Sequence, residues 1–377
     1  MQRQNVLGLD RDDLVKYFEA RGEKRFRATQ LMLWLYHKRE LNFESMSNIA
    51  ATLRRVMAEE LTVELPQVLT VLESQDGTVK WLMKAQSGDT IETVLIPDGR
   101  RQTLCISSQV GCVLDCTFCA TGKQGFNGNL GAGEIVGQVL QACLWLQENR
   151  PNERLSNVVF MGMGEPLLNF DATFKAIDVF KDDLGFGLSR RRVTVSTAGV
   201  VPGIERMCGL TTVALAVSLH APNDEIRSEL VPLNRRYPIE ALIDACRAYL
   251  ESQDVKATIT FEYTLINEVN DMPSLALDLA KLLRNFRCKV NLIPFNPFPG
   301  STYQRPSETR IYAFHKLLMD NGVRAMRRTT RGADIDAACG QLVGRVSDRT
   351  RRAARYREGV NPIFAPAEKI PTSTVPN

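Results

Sequence analysis

Apolar residues recur at helical spacing three times within the first sixty positions, over residues 12–20, 28–39 and 48–60. Leu31, Trp34 and Leu35 form one such stripe, and Leu53, Val56 and Met57 another, the i, i+3, i+4 signature of a half-buried helix. Three short β-type runs follow at 68–72, 79–83 and 90–96, punctuated by Gly77 and Gly88. They predict a small sheet at a boundary near residue 90.

From about residue 103 a strand-then-helix rhythm sets in. Strands are predicted at 104–107, 157–161, 192–196, 213–218, 257–263 and 289–293. Helices are predicted at 134–148, 171–183, 201–207, 239–251, 273–285 and 307–321. Six βα units require parallel strands joined by crossover helices. Six are too few for a closed eight-fold barrel, so the expected fold class is α/β, an open or partial (βα)6 barrel. It carries a small helical domain with linking strands (residues 1–90), the barrel (91–330) and a C-terminal extension (331–377). A site in such a fold belongs at the C-terminal ends of the strands. Beyond Asp348 the chain turns Arg-rich and then Pro-bearing, and disorder is expected from about Gly359.

Composition narrows the setting. A 44% hydrophobic, 24% charged chain of 377 residues is ordinary for a soluble globular protein. The longest charge-free stretch, 207–223, includes Thr211, Thr212, Ser218, His220 and Pro222. A membrane span needs about 20 mainly apolar residues, so no membrane association is expected. The N-terminus shows no apolar export segment. Nine cysteines without one imply reduced thiols and a cytoplasmic location. The net charge of +4 hides an uneven distribution: residues 324–377 carry eleven basic and five acidic side chains. An Arg-rich end suits a phosphate backbone but equally a solvated tail.

Cys112, Cys116 and Cys119 carry the sharpest chemistry. Three thiols at C-x3-C-x2-C follow the first strand of the βα series. Structural zinc wants four ligands, and Cys105 or His220 could supply a fourth. A cubane iron–sulfur cluster takes one thiolate per iron, so three would leave one iron open to a chelating small molecule. The spacing, with Phe118 before the last cysteine, resembles the radical S-adenosylmethionine (SAM) superfamily signature. That resemblance implies a radical SAM partial barrel with a [4Fe-4S] cluster whose open iron binds SAM. It further implies that Gly164 and Glu165, in Met161-Gly162-Met163-Gly164-Glu165-Pro166, bind the methionine amine of SAM. Ser196, Ser218-Leu219-His220 and Asn296 also sit where strands meet their loops and are read as cofactor-binding, His220 as a binder rather than an acid or base.

Cys143, Cys208, Cys246 and Cys288 fall in or beside apolar runs and read as small buried hydrophobes. Cys105, on the first strand, and Cys339, in a Gly-flanked segment beyond the last βα unit, do not fit that account. With residues 22–30, 107–112, 125–127 and 332–342, they make the chain similar to the RlmN-type dual-specificity rRNA/tRNA adenine-C2 methyltransferases over nearly its whole length. Gly128 departs from the pattern, where Arg is expected.

Adenine C2 is electron-poor and cannot attack a methyl sulfonium, whereas a thiolate can. As the resemblance implies, one SAM methylates Cys339 and a second, cleaved reductively, generates a radical on that methyl group. The radical adds to C2, Glu92 accepts the C2 proton, and Cys105 releases the product by forming a disulfide with Cys339. The implied substrates are adenine 2503 of the 23S rRNA peptidyl-transferase centre and adenine 37 of tRNA. The implied reductant is a flavodoxin or ferredoxin, and the enzyme is expected to be a monomer. From its position alone, Glu92 would be an edge-strand surface acid. The rival readings are an adenine-C8 methyltransferase with the same cysteines and a zinc-stabilised, non-catalytic RNA-binding protein.

Overall fold

The computed structural model describes residues 3–253 and 256–352; the expected disordered tail from Gly359 lies outside them. Near the N-terminus, Asp10 caps the helix Arg11–Glu19 by accepting the Asp13 amide at 2.8 Å. The helix Phe26–Met32 widens into a π-helical turn, Leu33–Lys38, and Ala51–Glu60 completes the group. Leu14, Phe18, Leu31, Leu35, Leu53 and Met57 are buried, as the helical stripes predict.

One ten-stranded sheet organises the remainder, with its strands in strict chain order: β1 (Gln67–Glu73), β2 (Val79–Lys84), β3 (Thr90–Asp98), β4 (Arg101–Cys105), β5 (Asn157–Phe160), β6 (Val193–Thr197), β7 (Ala214–Ser218), β8 (Ile259–Leu265), β9 (Cys288–Pro294) and β10 (Ala325–Arg327). β1 to β4 pair antiparallel, and β4 to β10 pair parallel. β1 and β10 are its two edges, so the barrel is partial.

Two expectations change here. The runs at 68–96 do not form a small sheet of their own, because β3 pairs with β4 from Val94↔Cys105 to Asp98↔Arg101 and extends the main sheet. Residues 325–327 add a seventh parallel strand, three residues long with only Ala325 buried, too short to show period-two patterning. All seven residues of β8 are buried, as in a sheet covered on both faces. A helix at Asp224–Leu230 was also not predicted.

That helix carries the main internal brace of the barrel mouth. Arg227 is fully buried and donates to the Leu219, Ala198 and Ser218 carbonyls at 3.1, 2.7 and 3.1 Å and to Asn234 Oδ1 at 2.7 Å. One planar guanidinium thus ties the loops after β6 and β7 together. Burial lowers its pKa to about 10, which leaves it charged at neutral pH. Arg227→Met would strand buried acceptors, each costing about 1–3 kcal/mol. Urea unfolding should therefore show a loss of roughly 3 kcal/mol or more; a loss within ~0.5 kcal/mol would remove Arg227 from this role.

Candidate active site

The loop between β4 and the helix Ala132–Asn149 carries the three clustered cysteines. Cys112 is seated by its amide on the Gly125 carbonyl at 2.8 Å, and the Cys119 amide donates to Cys116 at 3.2 Å. Cys112, Cys116 and Cys119 line one cleft of about 1030 Å³ with Gly164, Glu165, Ser196, Ser218, His220, Asn296 and Cys339. The cleft sits at the C-terminal ends of β5 to β9, where the fold class places a site.

Fit to a cluster follows from the thiols themselves. Burial pushes Cys112 up to about 12, with Cys119 adding repulsion. Cys116 is pushed well above the usual thiol range by burial and by both neighbouring cysteines. Buried thiols gathered in one loop cannot all ionise without a cation among them, and a ferrous or ferric centre supplies that charge. Among the described residues, no three His, Cys, Asp or Glu side chains converge on a point one metal ion could occupy.

Glu165 is buried, its Oε2 accepting the Ala198 amide at 2.8 Å and its Oε1 the Leu167 amide at 3.1 Å. Burial raises its pKa to about 7; a nearby ammonium would restore the anion. Gly164 has φ +99°, and a Cβ there would lie 2.5 Å from Gln109 Cβ, so only glycine lets the chain turn here. His220 Nδ1 accepts the Thr264 amide at 2.9 Å, which places any ring proton on Nε2. Burial drops the His220 pKa to about 3, so the ring is neutral, consistent with binding rather than acid–base work.

Asn296 lines the cleft and also donates to the Cys339 carbonyl at 3.2 Å. Leu219 does not line the cleft: it is fully buried, its amide pairs with Glu262 and its carbonyl with Arg227.

Cys339 faces two spaces. It lines the main cleft, and with Cys105, Ile96, Met161 and Arg328 it lines a narrower adjoining one. Both cysteines are free thiols. Burial raises both pKa values, and the Arg328 guanidinium opposes the rise. Glu92 is not the edge-strand surface acid its position suggested. β3 is an interior strand, and the carboxylate is 5% exposed, paired with Lys80 Nζ at 3.1 Å and accepting the Val343 amide at 2.8 Å. It lines neither cleft. Gly128 has open space where a Cβ would stand, so nothing in the packing demands glycine there.

Two cleft residues escaped the sequence reading. Glu262, on β8, is buried; its Oε1 accepts from Asn291 at 2.9 Å, but Oε2 is buried with no hydrogen-bond partner. An orphaned acceptor on the cleft wall is a docking point for a ligand hydroxyl or amine. Arg328, just after β10, lies in charge reach of Cys105, Cys339 and Glu262. Glu262 lay within a predicted strand, and Arg328 lay beyond the last predicted helix with no signal but its charge.

The Glu165 carboxyl gives a pH signature. Its folded pKa of about 7 lies above the ordinary 4.5, so the folded cluster-free protein holds a proton that the unfolded chain has lost. Stability on this account is unpenalised below pH 4.5, falls between 4.5 and 7, and levels off roughly 3 kcal/mol lower. Glu165→Gln should flatten that falling limb in urea titrations of the cluster-free protein. An unchanged slope would remove the assignment.

Comparison with known proteins agrees with this geometry. Residues 4–63 match the ribosomal RNA large subunit methyltransferase N-terminal domain family, and 106–279 the radical SAM superfamily. The chain is 52% identical over 356 residues to a Marinobacter nauticus protein named dual-specificity RNA methyltransferase RlmN, covering 94% of this chain and 96% of that one. It is 50% identical to a protein of the same name from Alcanivorax borkumensis, with 95% of each covered. The crystal structure of a radical SAM methyltransferase from Sphaerobacter thermophilus superposes with a TM-score of 0.84 at 44% identity, covering 90% of this chain and 99% of that one. With half its residues identical to these relatives over nearly its whole length, the chain belongs to the RlmN family of the radical SAM superfamily.

Proposed function

We propose that the chain methylates C2 of adenine in 23S rRNA and tRNA, with Cys339 as the methyl carrier. The observation that carries this reading is the position of Cys339, in the wall shared by the three-cysteine cleft and the Cys105 cleft. A [4Fe-4S] cluster and SAM, when bound, supply methyl donation and one-electron C–S cleavage. Cys112, Cys116 and Cys119 would hold the cluster, while Gly164 and Glu165 receive the SAM amine. Ser196, Ser218, neutral His220 and Asn296 would orient the rest of SAM.

Cys105 would attack the Cys339 sulfur to release the product, and their shared cleft supports that pairing. Glu92 would accept the C2 proton. Burial raises its proton affinity, and Lys80 and the Val343 amide lower it. The three segments, 1–90, 91–330 and 331–377, would divide RNA contact, radical chemistry and methyl carriage. Exposed Phe26 beside Arg27, and Lys38 over Trp34, offer stacking and phosphate contacts for unpaired RNA. Nine free thiols fit a reducing cytoplasm, and no helix among the described residues is long and apolar enough to cross a membrane. A flavodoxin or ferredoxin would supply electrons to a monomeric enzyme.

Peptide mass spectrometry of protein isolated with SAM present should find one added methyl on Cys339, and Cys339→Ala should abolish turnover. Nuclease digestion of treated RNA should yield 2-methyladenosine. An 8-methyl product would sink the C2 assignment, and a colourless protein with one zinc and no iron or sulfide after anaerobic purification would sink the radical one.

A further inference from the structure

By composition the Arg-rich segment suits a phosphate backbone or solvent equally, yet Arg352 turns inward. Arg352, with its side chain 11% exposed, donates to the Cys112, Leu114 and Gly122 carbonyls through Nη1 at 3.1, 2.7 and 2.8 Å, and to Val113 through Nη2 at 2.9 Å. Its Nε stands 3.5 Å from Asp115. One guanidinium therefore converges on four carbonyls of the loop that carries the three cysteines.

Residues 341–352 are bonded along both sides. Toward the cysteine loop, Thr121 donates to the Leu342 carbonyl at 2.7 Å, and Gln124 exchanges two bonds with Gly344, at 2.6 and 3.0 Å. Asp348 accepts the Phe126 amide at 3.2 Å, and a Cβ at Gly125 would stand 1.9 Å from its carboxylate. Toward β3, Val343 donates to Glu92, Thr90 exchanges two bonds with Arg345, and Ser347 donates twice to Asp89. A Cβ at Gly344 would lie 2.1 Å from the Thr90 carbonyl, so the segment is pressed against the strand. At its upstream end, the Ala120 amide donates to the Gly340 carbonyl at 2.8 Å, one residue from Cys339 and one from Cys119.

We propose that residues 341–352 form a strap that locks the three-cysteine loop and Cys339 into one unit, with Arg352 as its anchor. Arg352 is a positioning residue: it touches no reacting atom and acts through the loop it clamps. Loosening it should free the cysteine loop and the Cys339 segment together, because the strap is the element bonded to both. The link to cluster retention rests on reading Cys112, Cys116 and Cys119 as cluster ligands; the mechanical link does not.

The test uses the full chain with Arg352→Gln, Arg352→Lys and, as a charge control, Arg351→Gln. Arg351 is exposed, and its loss changes the net charge by the same amount. After anaerobic reconstitution with iron and sulfide, each protein is challenged with excess ferrous chelator and followed by absorbance. Hydrogen exchange is measured with and without iron over 112–126 and 339–348. Arg352→Gln should release iron about tenfold faster or more, since the charge-assisted hydrogen bonds to four loop carbonyls are lost. Arg352→Lys should fall between, because an ammonium keeps the charge but not the planar fork, and Arg351→Gln should match the parent. Exchange should rise in both segments together in Arg352→Gln, even without iron. Parental exchange in both segments, or a rise in one alone, would overturn the lock. Failure of the parent chain to take up iron would overturn the cluster reading instead, leaving the iron-free exchange result to decide the lock.

Discussion

Three thiols and two carboxylates share one cleft, and burial works against the charge of each. Glu165, Glu262, Cys112, Cys116 and Cys119 are all shifted toward their neutral forms, with burial the largest cause in every case. Much of the surrounding structure supplies what that crowding requires. Amides at Leu167 and Ala198 hold Glu165, and amides near Thr121 and Gly122 reach Cys119. Arg328 faces Glu262, Cys105 and Cys339. A cationic cluster and a ligand bearing an ammonium group would complete a balance the protein leaves unfinished.

The same demand for partners explains how the C-terminal segment is placed. It is seated by hydrogen bonds as well as by the apolar packing of Leu342 and Val346, so its position depends on particular donors and acceptors as much as on burial. Glu92 shows the consequence. Its carboxylate meets Lys80 on β2 and Val343 on the strap, and Lys80 also donates to the Asp336 carbonyl at 3.1 Å. The pair supports the Cys339 segment from behind, which couples Glu92 to the position of Cys339.

Much of the site was legible from residue order. The C-x3-C-x2-C spacing, the Gly-rich turn before Pro166 and the polar strand ends are local features, and the structure gathers them around one cleft. The six parallel strands were legible because buried apolar runs between amphipathic helices have few other readings. Leu219 misled because adjacency to Ser218 and His220 says nothing about side-chain direction, and strand neighbours point to opposite faces. The runs at 68–96 misled because pairing partners are not written in a strand's own composition.

By itself, the sequence determined the local elements, the cysteine triplet and the two cysteines that packing could not explain. Those features depend on residues a few positions apart, where periodicity and spacing speak directly. Tertiary structure alone decided that Glu92 is interior, that Glu262 presents an unpartnered oxygen to the cleft, and that Arg352 turns inward to grip a loop some 240 positions earlier. Each outcome depends on which distant donor meets which acceptor once the chain is compact. A charge count treats an arginine bound to four carbonyls and one left in water as the same residue.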